Sequence, residues 1–253
     1  MAKILMSNLG YLRGIDGCLS HHFRYAYRHL YCPRQVQEAC LAQVIDIIER
    51  EEPDLCCFVE IDKDITNLDN YRHFGKIIND RYPFLDIENK YGPNSRLRKL
   101  YLTRSKSNGF LSSKPIPFEK IYFEHGTKRL IYKLSIKPDV TVFFAHFSLK
   151  KAVRALQLIE IRQLLARVSG EVILLGDFNI HSGFAELAPL LHENNLVLLN
   201  QENIPTFRFH NIALPLDLCI CSKEIANTGQ LRIIPQPYSD HEALLLTLNG
   251  IVF

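Results

Sequence analysis

Polar side chains of catalytic type come directly after short apolar runs in this sequence. Asp177 and Asn179 follow the run Val172–Leu175, and Glu60 follows Leu55–Val59. A carboxylate and an amide two residues apart, just past a buried strand, point the same way and can hold a hard cation or a phosphate oxygen. The alternative is structural, because Asp and Asn are also common in turns and at helix N-caps.

Two histidines and an aspartate add groups that can hold or move a proton. Asp217 lies inside the apolar segment Leu214–Ile220, where a carboxylate is costly to bury without a partner. A histidine is the expected partner, since a carboxylate fixes the imidazole tautomer and favours the charged ring. His241 follows Asp240 in a Ser-Asp-His segment, and His146 ends an apolar run. A solvent-facing aspartate and a satisfied core histidine are the structural alternatives.

Apolar periodicity predicts the elements that must position these groups. Helical stripes are predicted over residues 35–51 and 150–168, and Asn8 ends an N-terminal strand as Glu60 ends the next one. Each half of the chain then has a strand, a helix and a buried strand ending in a carboxylate. This repetition predicts two sheets packed face to face with a helix on each outer side and the polar strand ends at one rim. The other predicted strands span residues 108–111, 118–123, 129–136, 140–147, 216–221, 230–234 and 242–248, with a short helix near 184–194.

Length and composition exclude several classes of protein. The 253 residues are 47% hydrophobic with a net charge of +3, which fits one globular domain over residues 1–253 and excludes coiled coils, disordered chains and polybasic binders. The longest apolar runs are strand-length, so no transmembrane segment is expected. The N-terminus lacks the apolar run of a signal peptide. Seven cysteines, without paired CxxC spacings and partly inside apolar runs, predict buried thiols and a cytoplasmic protein rather than disulfides or zinc.

Six short segments, taken in chain order, resemble the signature of the endonuclease/exonuclease/phosphatase superfamily. They are Met6–Asn8, Phe58–Glu60, Ala145–Ser148, Gly176–Asn179, Leu216–Asp217 and Ser239–His241. The resemblance runs from Asn8 to His241 and is specific for the superfamily but not for a substrate. It implies an α+β fold, a four-layer α/β/β/α sandwich of two mixed sheets with the helices outside. The group includes deoxyribonuclease I-like nucleases, abasic-site endonucleases, inositol-polyphosphate 5-phosphatases, neutral sphingomyelinases and deadenylases.

The resemblance also implies a Mg²⁺-dependent phosphoesterase, with Mn²⁺ able to substitute. Carried over by position, the implied metal-binding residues are Glu60 as the principal ligand, Asn8 beside it, and Asp240, which supports the metal or His241. The implied catalytic residues are Asp177 and Asn179, which orient the attacking water and the phosphate, Asp217 paired with His241, and His146 facing the scissile phosphate. The resemblance leaves open whether Asp177 or a histidine takes the proton from the water.

The expected substrate class is inferred from differences between this sequence and the better-known branches of the superfamily. Abasic-site enzymes usually carry Tyr where this chain has His146, and they use Trp wedges, whereas this chain has no Trp. The absence of signal-peptide and disulfide features argues against a secreted deoxyribonuclease. A small or lipid-linked phosphate ester is therefore the expected substrate. Two alternatives stay open: a DNA or RNA nuclease, and a non-catalytic binding module on the same fold.

Basic residues are concentrated in two segments outside the signature. Residues 10–34 and 91–106 carry arginines, lysines and tyrosines, which predict a cationic and aromatic collar that grips phosphates and stacks bases or sugars. Two solvated loops are the alternative. Lys150, Lys151 and Arg154 open the second long helix and are expected on an exposed face. Glu88 matches loosely a carboxylate that orients the histidine matched by His146, and it is left out of the site.

Overall fold

The computed structural model describes residues 1–63 and 81–251. Its strands are β1 (Ala2–Asn8), β2 (Leu55–Asp62), β3 (Phe84–Asn89), β4 (Lys106–Ser112), β5 (Phe118–Tyr122), β6 (Leu130–Lys137), β7 (Val140–His146), β8 (Glu171–Asp177), β9 (Leu196–Leu198), β10 (Phe207–Phe209), β11 (Ile212–Leu214), β12 (Asp217–Ser222), β13 (Gly229–Ile234) and β14 (Ala243–Leu248). Its α-helices are α1 (Leu19–Arg24), α2 (Arg34–Glu51), α3 (Lys151–Leu165), α4 (Ala188–Glu193) and α5 (Lys223–Thr228), and single 3-10 turns occur at Gly10–Leu12, Ala26–His29, Arg96–Lys99 and Phe184–Leu187.

Two mixed six-stranded sheets form the centre of the molecule. The first has the order β13-β14-β1-β2-β4-β3 and the second the order β5-β6-β7-β8-β12-β9. Each contains one parallel pair, β1 with β2 and β7 with β8, connected by α2 and α3 respectively. Each crossover returns the chain to the same edge, so the carboxyl ends of the paired strands lie together. The architecture is the predicted four-layer α/β/β/α sandwich.

Three apolar layers hold the sandwich together. The central layer lies between the sheets and includes Ile4, Leu175 and Leu244. One outer layer packs α2 on the first sheet through residues such as Val44, and the other packs α3 on the second sheet through residues such as Ile161. The central strands are buried on both faces, which explains why they are nearly continuous apolar runs. Among the described helices, none combines the length and the apolar character needed to cross a bilayer.

Most predicted elements are present, and the missed ones are short or at an edge. Helix α2 begins one residue before the predicted start and ends at Glu51, where Glu52 takes a left-handed conformation before Pro53. No sequence pattern predicts β3, β9, the hairpin β10–β11, α1 or α5. Residues 64–80, for which no element is predicted, lie outside the described residues.

All seven cysteines are free thiols, as the sequence predicts. Five are buried, and burial raises the pKa of Cys40 to about 11 and that of Cys221 to about 12. Because the thiolate is the reactive form, we expect Ellman's reagent to titrate rapidly no more than two thiols of the folded protein, Cys18 and Cys32. All seven should react after unfolding in guanidinium. Rapid reaction of three or more thiols in the folded protein would contradict this packing.

Arg154 differs from its predicted exposed position. Its side chain is 2% exposed, and its guanidinium pairs with Glu186 at 3.0 and 3.1 Å while donating to the carbonyls of Ser148 and Leu149. The expectation was wrong because the partner Glu186 lies 32 residues further along the chain. This arginine therefore links the start of α3 to the 3-10 turn that precedes α4.

Replacement of Arg154 by alanine is expected to destabilise the fold, because it leaves Glu186 and two carbonyl groups without their partner. Breaking a buried ion pair typically lowers the free energy of unfolding by about 3–5 kcal/mol. Urea unfolding followed by circular dichroism measures the change. Arg162→Ala on the same helix is the matched control, since its pair with Glu193 is more exposed and should contribute less than about 1 kcal/mol. Equal effects of the two substitutions would contradict this role of Arg154.

Candidate active site

The polar strand ends meet at one rim of the sandwich. Asn8 ends β1, His146 ends β7 and Asp177 ends β8, and β7 and β8 place His146 opposite Asp177. Strand β12 runs antiparallel to β8 and begins at Asp217, which also pairs with Asp177 in register. The register of the sheets therefore brings residues far apart in sequence to one edge.

Asp177 lies at the centre of this group. Its Oδ2 accepts a hydrogen bond from the Asn8 amide at 3.1 Å and lies 3.1 Å from Nε2 of His146 and 4.0 Å from Nε2 of His241. Burial by itself would raise the pKa of Asp177, but His146, His241 and the Lys128 ammonium outweigh it and hold the pKa well below its usual range. Asp177 is therefore an ionised carboxylate in a nearly dry site that joins the two sheets.

His241 forms a buried pair with Asp217. Its Nδ1 donates to Oδ2 of Asp217 at 2.7 Å, and Asp217 is completely buried. Burial alone would lower the pKa of His241, but the carboxylates of Asp217 and Asp177 raise it to about 10. The ring is thus held protonated at neutral pH. Its Nε2–H faces Asp177. The backbone N–H of Asp217 donates a second hydrogen bond, to Oγ1 of Thr206, which fixes the start of β12.

Asn179 is fixed by the turn that follows β8. Its backbone has a φ of 53°, a left-handed conformation that costs energy for a non-glycine residue and that asparagine tolerates better than most. Its backbone N–H donates to Oδ1 of Asp177 at 3.1 Å, and its side-chain amide donates to the Phe147 carbonyl at 3.1 Å. The Asp-Phe-Asn segment therefore holds a carboxylate and an amide rigidly on one side of the rim.

Glu60 lies at an irregularity in β2. The pairing of β2 with β4 shifts register between Phe58 and Ile61, and Glu60 has a φ of 56°. Such a bulge redirects a side chain at a strand end. Oε1 of Glu60 lies 3.2 Å from Nζ of Lys90 and 3.8 Å from Nδ1 of His146. Although burial alone would raise the pKa of Glu60, Lys90 and His146 hold it far below its usual range.

His146 is a neutral ring between charged neighbours. It is 2% exposed, and burial together with Lys128 lowers its pKa to about 4. Its Nε2 contacts both Asp177 and Nζ of Lys128, and its Nδ1 is buried without a hydrogen-bond partner among the described residues. Because Nδ1 of His146 faces Glu60 and has no hydrogen-bond partner in the described part of the chain, a ligand group can bind there.

Sequence reasoning missed three residues of this site. Lys90 contacts Glu60 and the Tyr11 hydroxyl, while Lys128 contacts His146. Burial and the charge of Lys90 lower the pKa of Lys128 to about 8. Both lysines lie in connecting segments rather than at the ends of apolar runs, so no periodicity marks them. Tyr11 lies in residues 10–34, for which the sequence predicts only a cationic and aromatic collar.

Asp240 and Glu88 have different charged neighbours. Asp240 is next to His241, and its pKa is raised, first by burial and in part by the negative charge of Glu60. Its carboxylate has no cationic partner within ion-pairing distance in the described part of the chain. Glu88 instead pairs with Arg98 at 2.9 Å and with Lys120 at 3.5 Å, so it does not orient His146 here.

Two groups of side chains could hold a metal ion. Asp177, Asp217 and His241 place ligand atoms within 4.8 Å of one another. However, the hydrogen bond at 2.7 Å between His241 and Asp217 already uses one atom of each. Glu60, Asn8 and Asp240 carry oxygen ligands of the kind that Mg²⁺ prefers, and Oδ1 of Asn8 also accepts a hydrogen bond from the Gly10 N–H at 3.1 Å. The Asp240 carboxylate, which has no cationic partner among the described residues, and the unpaired Nδ1 of His146 are compatible with a bound cation and a bound ligand group.

Comparison with solved structures supports the fold. An endonuclease/exonuclease/phosphatase family protein from Leptotrichia buccalis C-1013-b aligns with a TM-score of 0.68 and 15% identity, over 98% of this chain and 100% of that one. A humanized D. rerio TDP2 carrying 14 mutations aligns with a TM-score of 0.65 and 14% identity over 98% and 99%. The endonuclease domain of TRAS1, a telomere-specific non-LTR retrotransposon, aligns with a TM-score of 0.59 and 12% identity over 98% and 99%. At these identities the likeness concerns the fold alone.

Comparison with curated proteins gave no match. The family model described as "Endonuclease/Exonuclease/phosphatase family" matches residues 36–241, which is most of the chain and includes the rim residues from Glu60 to His241. The chain therefore belongs to the endonuclease/exonuclease/phosphatase family, whose members are metal-dependent phosphoester hydrolases.

Proposed function

We propose that this protein hydrolyses a phosphate ester with Mg²⁺, by in-line attack of water at the rim built around Asp177. The observation that carries the proposal is the arrangement at Asp177, which is bound to Asn8 and His146 and faces the His241–Asp217 pair. An ionised carboxylate, a protonated imidazole and fixed amide donors in one dry site are the groups that in-line hydrolysis needs.

Glu60, Asn8 and Asp240 are the proposed ligands of the metal, with Mn²⁺ able to replace Mg²⁺. When bound, the ion would neutralise charge on the phosphoryl and leaving oxygens. The low pKa of Glu60 supports this role, because the carboxylate is fully ionised. Lys90 contacts the same carboxylate at 3.2 Å and adds a second positive charge on this side of the rim.

The protonation states of the other site residues indicate their roles in hydrolysis. Asp177 is ionised and can orient the attacking water and accept its proton. His241 is protonated through its pairing with Asp217, so it is unsuited as a base and instead donates Nε2–H to a phosphoryl oxygen. Asn179 fixes the Asp177 carboxylate, and the neutral His146 offers its unpaired Nδ1 to the scissile phosphate.

The proposed substrate is a small or lipid-linked phosphate ester, handled by one domain in the cytoplasm. The seven free thiols support a reducing compartment. A second candidate is a DNA or RNA nuclease, which the exposed arginines and tyrosines of residues 10–34 and 91–106 favour. The non-catalytic module is the third candidate, and a protein without affinity for Mg²⁺ in calorimetry would support it.

A substrate panel separates these candidates. Wild-type protein is assayed with p-nitrophenyl phosphate, bis(p-nitrophenyl) phosphate, single-stranded DNA and RNA, at 50 and 200 mM salt. A small-ester hydrolase should turn over a chromogenic ester with little salt dependence. A nuclease that contacts several phosphates should lose more than tenfold in apparent affinity over that range, because bound cations are released from the strand. Absence of turnover on all four substrates would contradict the hydrolase proposal.

A further inference from the structure

A basic cavity lies beside the candidate active site. Its volume is about 290 Å³, and it is formed where the segment from Arg13 to Gln37 faces the segment from Tyr101 to Lys106. Four cationic side chains line it: Arg13, Arg28, Arg104 and Lys106. The structure thus joins the two basic segments singled out in the sequence into one concave surface.

The positive charge of this cavity is only partly offset by the one carboxylate among its lining residues, Asp62. In residues 1–63 and 81–251 no carboxylate lies within ion-pairing distance of any of the four cations. The lining carboxylate, Asp62, instead accepts a hydrogen bond from the Ser105 hydroxyl at 2.9 Å. Burial, reinforced by the nearby charges of Arg13 and Lys90, lowers the pKa of Lys106. Four cations that share a single lining carboxylate are stabilised when a further anion binds.

Arg28 is positioned by the protein backbone rather than by an acid. Its guanidinium donates to the carbonyls of Arg13 at 2.9 Å and Gly14 at 3.2 Å and lies 3.7 Å from the ring centroid of Tyr25. Its Nε is buried without a hydrogen-bond partner among the described residues. Neutral carbonyl acceptors and an aromatic face orient this arginine while leaving its charge available.

Tyr11 connects the cavity to the proposed metal ligands. Its buried ring lies 4.6 Å from the Arg13 guanidinium and 5.0 Å from Nζ of Lys106, both of which line the cavity. Its hydroxyl contacts Lys90, which pairs with Glu60. A single aromatic side chain therefore lies between the lining residues of the cavity and the Lys90–Glu60 pair.

We propose that this cavity is a second phosphate subsite, which binds a non-reacting phosphate of the substrate. This inference rests on the proposed function and deepens it: the substrate carries at least two phosphate groups, one at Asp177 and Glu60 and one in the cavity. Arginine suits this role, since its planar fork matches phosphate oxygens. Tyr31 and Tyr101 at the cavity are 72% and 77% exposed and offer flat surfaces to the organic part of the substrate.

Calorimetry with thymidine 3′,5′-bisphosphate in the presence of EDTA, which prevents metal-dependent turnover, tests the subsite. At constant ionic strength, the double variant Arg104→Ala/Lys106→Ala should bind this probe at least tenfold more weakly than wild type. Arg167→Ala/Lys223→Ala is the matched control, because it removes the same charges from exposed positions beyond the ends of α3 and β12 that lie away from the rim. Equal affinities of the two variants, or no binding by wild type, would overturn the subsite.

Kinetics separate the failure of the subsite from the failure of the proposed function. The p-nitrophenyl ester of thymidine 5′-phosphate is compared with the same ester carrying a 3′-phosphate. Wild type should show a KM at least tenfold lower for the second compound. The Arg104/Lys106 variant should lose this advantage, whereas the Arg167/Lys223 variant should keep it. Equal KM values in wild type would overturn the subsite and leave the hydrolase. No hydrolysis of either ester, with the calorimetric difference intact, would overturn the hydrolase and leave the subsite.

Vesicles distinguish a free phosphate from a lipid headgroup. Phosphatidylcholine vesicles with and without phosphatidylinositol 4,5-bisphosphate are compared by sedimentation with the same three proteins. Binding that requires the phosphorylated lipid and is lost only in the Arg104/Lys106 variant would support the subsite with a lipid-borne phosphate. Vesicle binding that is equal in both variants would count against a role of the cavity at membranes.

Discussion

Asp177→Asn is expected to lower kcat by about three orders of magnitude, with little change in the fold. The substitution keeps the shape of the side chain but removes the negative charge that accepts from Asn8 and lies beside His146 and His241. Losing a group that orients and deprotonates water costs this much in comparable sites. Steady-state kinetics with a chromogenic phosphate ester measure kcat, and urea unfolding checks that the variant folds.

Asp139→Asn is the matched control for this substitution. Asp139 is exposed in the turn between β6 and β7, at the end of the sandwich away from the rim, so its replacement should leave kcat unchanged. If Asp177→Asn retained kcat within tenfold of wild type while Asp139→Asn behaved normally, Asp177 would not be the centre of the reaction.

Glu60→Gln is expected to raise the Mg²⁺ concentration for half-maximal activity at least tenfold and to lower kcat by about two orders of magnitude. The substitution removes one charge from the proposed metal ligands, and carboxylate charge is what gives Mg²⁺ sites their affinity. It also leaves the Lys90 ammonium beside a neutral amide, which further disfavours a second cation. Titration of activity with Mg²⁺ and calorimetry of Mg²⁺ binding give the two readouts.

Glu119→Gln provides the control for the metal experiment. Glu119 is exposed on the edge strand β5, where it pairs with Lys133 at 3.3 Å, so its loss should leave the Mg²⁺ dependence unchanged. An unaltered Mg²⁺ midpoint in Glu60→Gln would exclude Glu60 as a ligand. The Asp177, Asp217 and His241 group would then become the stronger metal candidate.

The sequence predicts the fold well where local pattern and burial agree. Helix α2 was predicted to within one residue because its apolar stripe and the following Pro53 give a clear beginning and end. Strand β3 was missed because it forms the edge of its sheet and only two of its six residues are buried, which leaves no alternating apolar pattern. Strands β9, β10 and β11 have three residues each, too few to show a period.

The candidate site was predictable only where its residues end strands. Asn8, Glu60 and Asp177 follow apolar runs, so topology brings them to one rim. Lys90 and Lys128 come from connecting segments, whose positions depend on contacts with Tyr11 and His146 that no local pattern encodes. Arg154 was misplaced for a related reason, since its buried position depends on a partner distant in sequence.

Hydrolysis of p-nitrophenyl phosphate and bis(p-nitrophenyl) phosphate, with Mg²⁺ and again with EDTA, tests the central claim most directly. The experiment uses wild type and His241→Ala, with urea unfolding as the check that the variant is folded. Turnover that requires the metal and falls by at least two orders of magnitude in folded His241→Ala is the predicted result. Turnover that is unchanged by EDTA, or equal in folded His241→Ala, would contradict a metal-dependent hydrolase centred on Asp177 and the His241–Asp217 pair.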